Sequence, residues 1–164
     1  MTWLDLPADT GFGVDNLPYG IFSAPGSSPR TGVATGNLVL DLAAVTGEDV
    51  HGTGSLNAFM ARGPQAWRAL RDQITTWLTD PSQREHVEPH LVALDDVTLH
   101  LPVEVADYVD FYSSLHHAEN LGRMFRPDSP PLTPNWKHLP IGYHGRAGTV
   151  QPRSAVGLGI AGRS

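Results

Sequence analysis

The sequence contains no cysteine, which excludes disulfides, thiolate nucleophiles and cysteine-ligated zinc. It has a single lysine, Lys137, so its positive charge is nearly all arginine. Acidic residues outnumber basic ones and the net charge is −6 with histidine neutral, which argues against a nucleic-acid backbone as partner, because that needs clustered Lys and Arg. No apolar run reaches transmembrane length. The N-terminus, Met-Thr-Trp-Leu-Asp-Leu-Pro, lacks the basic and apolar stretches of a signal peptide, so a cytoplasmic protein with no membrane partner is expected. Charged residues make up only 17%, yet hydrophobic content is 40%, enough for a packed core.

What the chain has in quantity is glycine, proline and histidine: 17, 14 and 8 of 164 residues. The first two predict many turns and a fold that is mainly β with short helices, an α+β class. Protonation of all eight histidines would reverse the sign of the net charge, so solubility should change through mildly acidic pH.

Taken in order, residues 1–18 read as an irregular lead-in and Tyr19–Ser23 as a strand. Gly32–Thr35 and Leu38–Asp41 read as a hairpin turning at Gly36-Asn37, with Gly36 supplying positive φ. Such closely spaced strands suggest a small barrel or meander. Leu42–Val45 is one helical turn, Glu48–Gly54 a loop, and Ser55 the N-cap of a short helix over Leu56–Ala61. Pro64 opens a longer helix on which Trp67, Leu70, Ile74, Trp77 and Leu78 form an apolar stripe, both tryptophans being core, and Asp80-Pro81 ends it. Gln83–His90 reads as an exposed polar loop, and its His and Glu residues as solvated rather than metal-binding. Leu91–Leu94 and Val97–Leu101 are strand-like. Leu115–Phe125 is expected as a helix after extended Asp107–Ser114, Pro127–Pro134 as loop, and Leu139–Tyr143 as strand.

The chemically dense stretch is Asp107–Arg126. In extended backbone Asp110 and Tyr112 share a face and could serve a hard cation and a polar ligand group, although a capping carboxylate beside a packed phenol is the plainer reading. His116 and His117 diverge by about 100° on a helix, so both cannot face one site. A functional histidine here would act as a general base. Arg126 suits a helix-end group whose planar fork meets a carboxylate, or simply a cation at the helix C-terminus. Tyr143-His144-Gly145-Arg146 gathers polar groups around a glycine beside a strand.

Together, Asp107-Tyr-Val-Asp-Phe-Tyr-Ser-Ser114, His117-Ala118, Asn120, Gly122, Met124-Phe125-Arg126 and Pro134–Ala147 closely resemble the fumarylacetoacetase family, as do Asn16–Ser23, Gly32-Val-Ala34, Leu40-Asp-Leu42 and Leu56–Met60. The resemblance runs from about residue 12 to Val150. It implies an SH3-like β-barrel N-terminal domain over residues 1–103, followed over 104–150 by the start of a β-rich catalytic domain. It further implies a Mg²⁺- or Ca²⁺-dependent hydrolase that cleaves a C–C bond of fumarylacetoacetate to give fumarate and acetoacetate in tyrosine and phenylalanine degradation, with a homodimer as assembly. Asp110 matches a metal ligand, His117 the general base, and Tyr112, Arg126 and Tyr143 substrate-binding positions. The family's remaining metal carboxylates lie beyond this chain, and Gln151–Ser164 is unlike the family's continuation. The expectation is therefore a truncated product with a disordered foreign tail, inactive alone and prone to associate through exposed apolar surface. Two other readings are a noncatalytic SH3-like interaction module and another hydrolase or isomerase of the same superfamily.

Overall fold

The computed structural model describes residues 2–7 and 10–144. Of these, residues up to Glu104 form one compact unit and Val105 to His144 a second. The expected tail over 151–164 lies outside the described residues.

In the first unit, β1 (Tyr19–Ser23), β2 (Arg30–Thr35), β3 (Leu38–Asp41), β4 (Leu91–Ala93) and β5 (Thr98–His100) make a curled antiparallel sheet in the order β4-β3-β2-β1-β5. The period-two pattern fixes its register: Val33 on β2 faces Leu40 on β3, and both are fully buried. The β2–β3 turn falls where the sequence places it. Gly36 takes φ 59°, which favours glycine, and a Cβ there would also have to displace the Leu6 side chain. Leu91–Leu94 and Val97–Leu101 supply the two edge strands rather than a pair with each other.

Four helices belong to this unit: α1 (Leu42–Thr46), α2 (Asn57–Met60), α3 (Gly63–Thr79) and α4 (Arg84–Val87). The class is α+β, and α3, at 17 residues, is longer than short helices would suggest. Its length follows from the apolar stripe, which puts Leu70, Ile74, Trp77 and Leu78 into one core with Val33, Leu40, Leu42 and Phe59. Each such side chain, taken from water, contributes about 1.5–3 kcal/mol. The lead-in secures the far end of α3: Trp3 Nε1 donates to the Trp77 carbonyl at 2.8 Å, and Thr2 Oγ1 donates to that of Leu78. Carbonyls of the last helical turn, which have no partner within the helix, are satisfied this way.

Four expectations need correction. Trp67 is 37% exposed, because near the N-terminal end of α3 it lines a hollow with Met60 and Pro64 instead of joining the core. Ser55 does not occupy the N-cap; Leu56 does, and Ser55 Oγ instead accepts from the Asn57 N–H at 3.2 Å. Gln83–His90 is not an open loop: it holds α4 and a 3-10 turn, and Val87 is fully buried, an apolar anchor that the surrounding charge concealed. Glu48–Gly54 likewise contains a 3-10 turn, with His51 buried in it.

In the second unit, β6 (Asp110–Phe111) pairs antiparallel with β7 (Gly142–Tyr143), and α5 (Leu115–Phe125) lies between them in sequence. The observed helix has the expected bounds, with Ser114 as N-cap. The expected strand over Leu139–Tyr143 contracts to its last two residues, consistent with Pro140 having no N–H to give a ladder. A two-stranded ladder is marginal by itself. The unit exposes Phe125 (74%) and Met124 (70%), apolar surface of the kind expected from the sequence.

Among the described residues, no helix is long and apolar enough to cross a membrane.

Candidate active site

Two strands and one helix carry the five residues singled out in the sequence. Asp110 on β6 and Tyr143 on β7 stand opposite each other in register, and both are exposed. The ladder runs one step further, as the Tyr112 N–H donates to the Ile141 carbonyl at 2.9 Å. Asp110 and Tyr112 are thus two apart along one extended segment, the spacing that places side chains on a common face.

Tyr112 links the ladder to α5. Its hydroxyl donates to the Ala118 carbonyl at 3.1 Å, and its ring meets the His117 ring edge-on with centroids 5.8 Å apart. Trp136 closes the other side, its ring 6.5 Å from that of Tyr112 and its Nε1 donating to the Tyr112 carbonyl at 3.0 Å. His117 is the third residue of α5, exposed, and its backbone N–H donates to the capping Ser114 Oγ at 3.4 Å. His116, one residue earlier, points about 100° away around the helix.

Arg126 stands apart. It is the C-cap of α5, nine residues after His117, hence about 13 Å along the axis. Its Nη2 donates to the Pro131 carbonyl at 3.0 Å. The structure therefore joins Asp110 with Tyr143 and Tyr112 with His117, and leaves Arg126 at the helix end. Tyr112 also lines a cavity of about 390 Å³ with Trp136, Lys137 and Ile141, to which the other four residues do not contribute.

Two features escaped the sequence reading. Asp107 Oδ1 accepts from His144 Nε2 at 2.6 Å and from the Tyr108 N–H at 2.7 Å. The His144 contact first, then the Tyr108 N–H, hold the Asp107 carboxyl below the usual carboxylate range. Only the pairing of β6 with β7 brings these residues together across 37 positions, and no local pattern announces it. The second is the close passage of α5 against the Pro131 backbone at Gly122.

Among the described residues, no group of three or more His, Asp or Glu side chains could hold a metal ion. A Ca²⁺ or Mg²⁺ ion takes six or more oxygen ligands, several of them water for Mg²⁺. Asp110 alone does not amount to such a site.

The family model described as Fumarylacetoacetase N-terminal matches residues 15–102. The chain is 41% identical over 165 residues to Fumarylacetoacetase of Caenorhabditis elegans, the match covering 91% of this chain and 40% of that protein. It is 40% identical to Fumarylacetoacetase of Homo sapiens (92% of this chain, 40% of that one) and 36% identical to that of Arabidopsis thaliana (91% and 39%). The chain thus spans about 40% of the length of the curated relatives it matches. A match covering 91% of the chain extends past the family model into the second unit, where all five candidate residues lie.

Proposed function

The chain belongs to the fumarylacetoacetase N-terminal family, and on that premise we propose that it is the N-terminal part of a hydrolase that cleaves fumarylacetoacetate to fumarate and acetoacetate. The observation that carries this reading is the identity of about 40% to proteins named Fumarylacetoacetase, continued through the second unit. In this reading the curled sheet of the first unit is the SH3-like barrel and the second unit begins the catalytic domain.

His117 acts as general base. Its exposed imidazole accepts a proton from water as the water oxygen adds to a carbonyl carbon. The adjacent C–C bond then breaks, its electron pair leaves with the departing carbon as an enolate, and reprotonation of that carbon completes the hydrolysis. Arg126 pairs with a terminal carboxylate of the substrate. One of its five N–H donors is committed to Pro131, and four remain for a fork. Tyr112 has given its only hydroxyl proton to Ala118, so it offers the substrate acceptor lone pairs. Tyr143 stands across the ladder from Asp110 and contributes a further phenol.

Mg²⁺ or Ca²⁺ belongs to this activity as a proposal. Among the described residues Asp110 is the one ligand proposed, and these residues do not form the site by themselves.

A chimera tests the reading. The aligned segment of the Caenorhabditis elegans relative is replaced by this chain's residues, and fumarate release from fumarylacetoacetate is measured. Turnover supports the assignment. A folded chimera that binds neither product nor substrate contradicts it.

A further inference from the structure

The first unit carries a cavity of about 400 Å³ that the proposed hydrolase chemistry does not use. It lies where β1, α2 and the first two turns of α3 meet, and its wall is mainly apolar: Phe59, Met60 and Trp67 stand around Tyr19. Its size falls within the range of small-ligand sites, roughly 300–1,000 Å³. Two exposed apolar side chains flank it, Met60 (48%) and Trp67 (37%). Trp67 is held in place because its Nε1 donates to the Phe59 carbonyl at 3.1 Å.

The polar groups at this cavity are of one sign. Arg68 and Arg71 line it, and no carboxylate does. Arg71 is fixed: its Nη2 donates to the Leu17 carbonyl at 3.0 Å, and its guanidinium lies 5.3 Å from the Tyr19 ring centre. Arg68 is exposed and makes no side-chain hydrogen bond or ion pair among the described residues, so its donors are available. Tyr19 Oη is buried without a hydrogen-bond partner and lies out of reach of a ligand in the cavity, so the arginines carry the polar contact. Burial also holds the Tyr19 phenol above its ordinary range.

A locally cationic, mainly apolar hollow on a chain of net charge −6 selects for a ligand that is both apolar and anionic. We propose that this cavity binds a small aromatic carboxylate, its ring against Trp67 and Met60 and its carboxylate on Arg68. The ring gains area burial and edge or face contact with the indole. The carboxylate gains a charge-assisted pair that a neutral analogue cannot make. Nothing in this proposal depends on the hydrolase reading.

The test titrates 2-naphthoate and its uncharged counterpart 2-naphthylmethanol into the ¹⁵N-labelled 164-residue chain. Saturable amide shifts concentrated over residues 56–71 are expected for the acid, which binds about fivefold or more tighter than the alcohol, a difference of roughly 1 kcal/mol for a partly solvated pair. Arg68→Gln removes a side chain with no described partner, so the fold should persist while the acid falls to the affinity of the alcohol. Equal affinities, shifts elsewhere, or an Arg68→Gln chain that still prefers the acid would each overturn the proposal. So would a cavity that neither probe saturates but that closes as the chain self-associates, which would make it a protein contact.

Discussion

Gly122 on α5 faces the Pro131 carbonyl so closely that a Cβ built on it would stand 1.8 Å from that oxygen. The obstacle is backbone, so the helix and the loop must separate to admit a methyl group. Alanine would improve helix propensity by about 1 kcal/mol, but overpacking against fixed atoms costs about 1–3 kcal/mol or more, and the second term wins. Gly122→Ala should therefore loosen the second unit. Faster amide exchange of α5, with the sheet of the first unit unchanged, is the expected result.

Asp41 ties α1 to Arg30. It is nearly buried, caps α1 by accepting from the Ala44 N–H at 3.0 Å, and takes the Arg30 Nε–H at 2.5 Å. Asp41→Ala loses the cap and the ion pair to Arg30, which keeps the Ser28 carbonyl and the Phe22 ring, for a destabilisation of about 1–3 kcal/mol. Asp41→Asn keeps the cap oxygen and should cost less. Denaturant midpoints of the two variants against the parent chain measure the difference.

His51 makes the first unit sensitive to acid. It is buried at 1% exposure, its ring lies 5.2 Å from that of Phe59, and its Nδ1 has no hydrogen-bond partner. Burial first, and more weakly the Arg62 charge, lower its pKa, against the opposing pull of Glu48. The folded chain thus releases a proton that the unfolded chain still binds. Its contribution is fully present above the unfolded pKa, near 6.5, and is lost as pH falls from there through the lower folded value. Urea midpoints at pH 7.5 and at pH 5 should show the parent chain weakening in acid, and His51→Leu should flatten that slope.

Local pattern made much of this molecule legible. The Gly36-Asn37 hairpin follows from turn chemistry, and the expected bounds of α5 match the observed helix, which Ser114 caps. Periodicity gives a stripe its face but not which of its residues the core reaches, so Trp67 lies outside the core that holds Trp77. Val87 was missed because one apolar residue among charges carries no period, although one is enough to pin a helix. The Asp107–His144 contact and the approach of Pro131 to Gly122 arise from pairings between distant segments, and they leave no mark in either segment alone. The roles of Asp110, Tyr112 and His117 rest on resemblance to family motifs. The structure adds the specific links, Asp110 to Tyr143 across the ladder and His117 to Tyr112 ring to ring.

The most direct test of the account is the pH–rate profile of the chimera carrying His116→Ala or His117→Ala. The two histidines are neighbours in sequence but face different directions on α5, so a general structural effect would touch both. The account predicts that His116→Ala keeps most of its turnover, while His117→Ala loses about 10²–10⁴-fold in kcat together with the acidic limb of the profile. A His117→Ala chimera that retains turnover, or a His116→Ala chimera that loses as much, would contradict it.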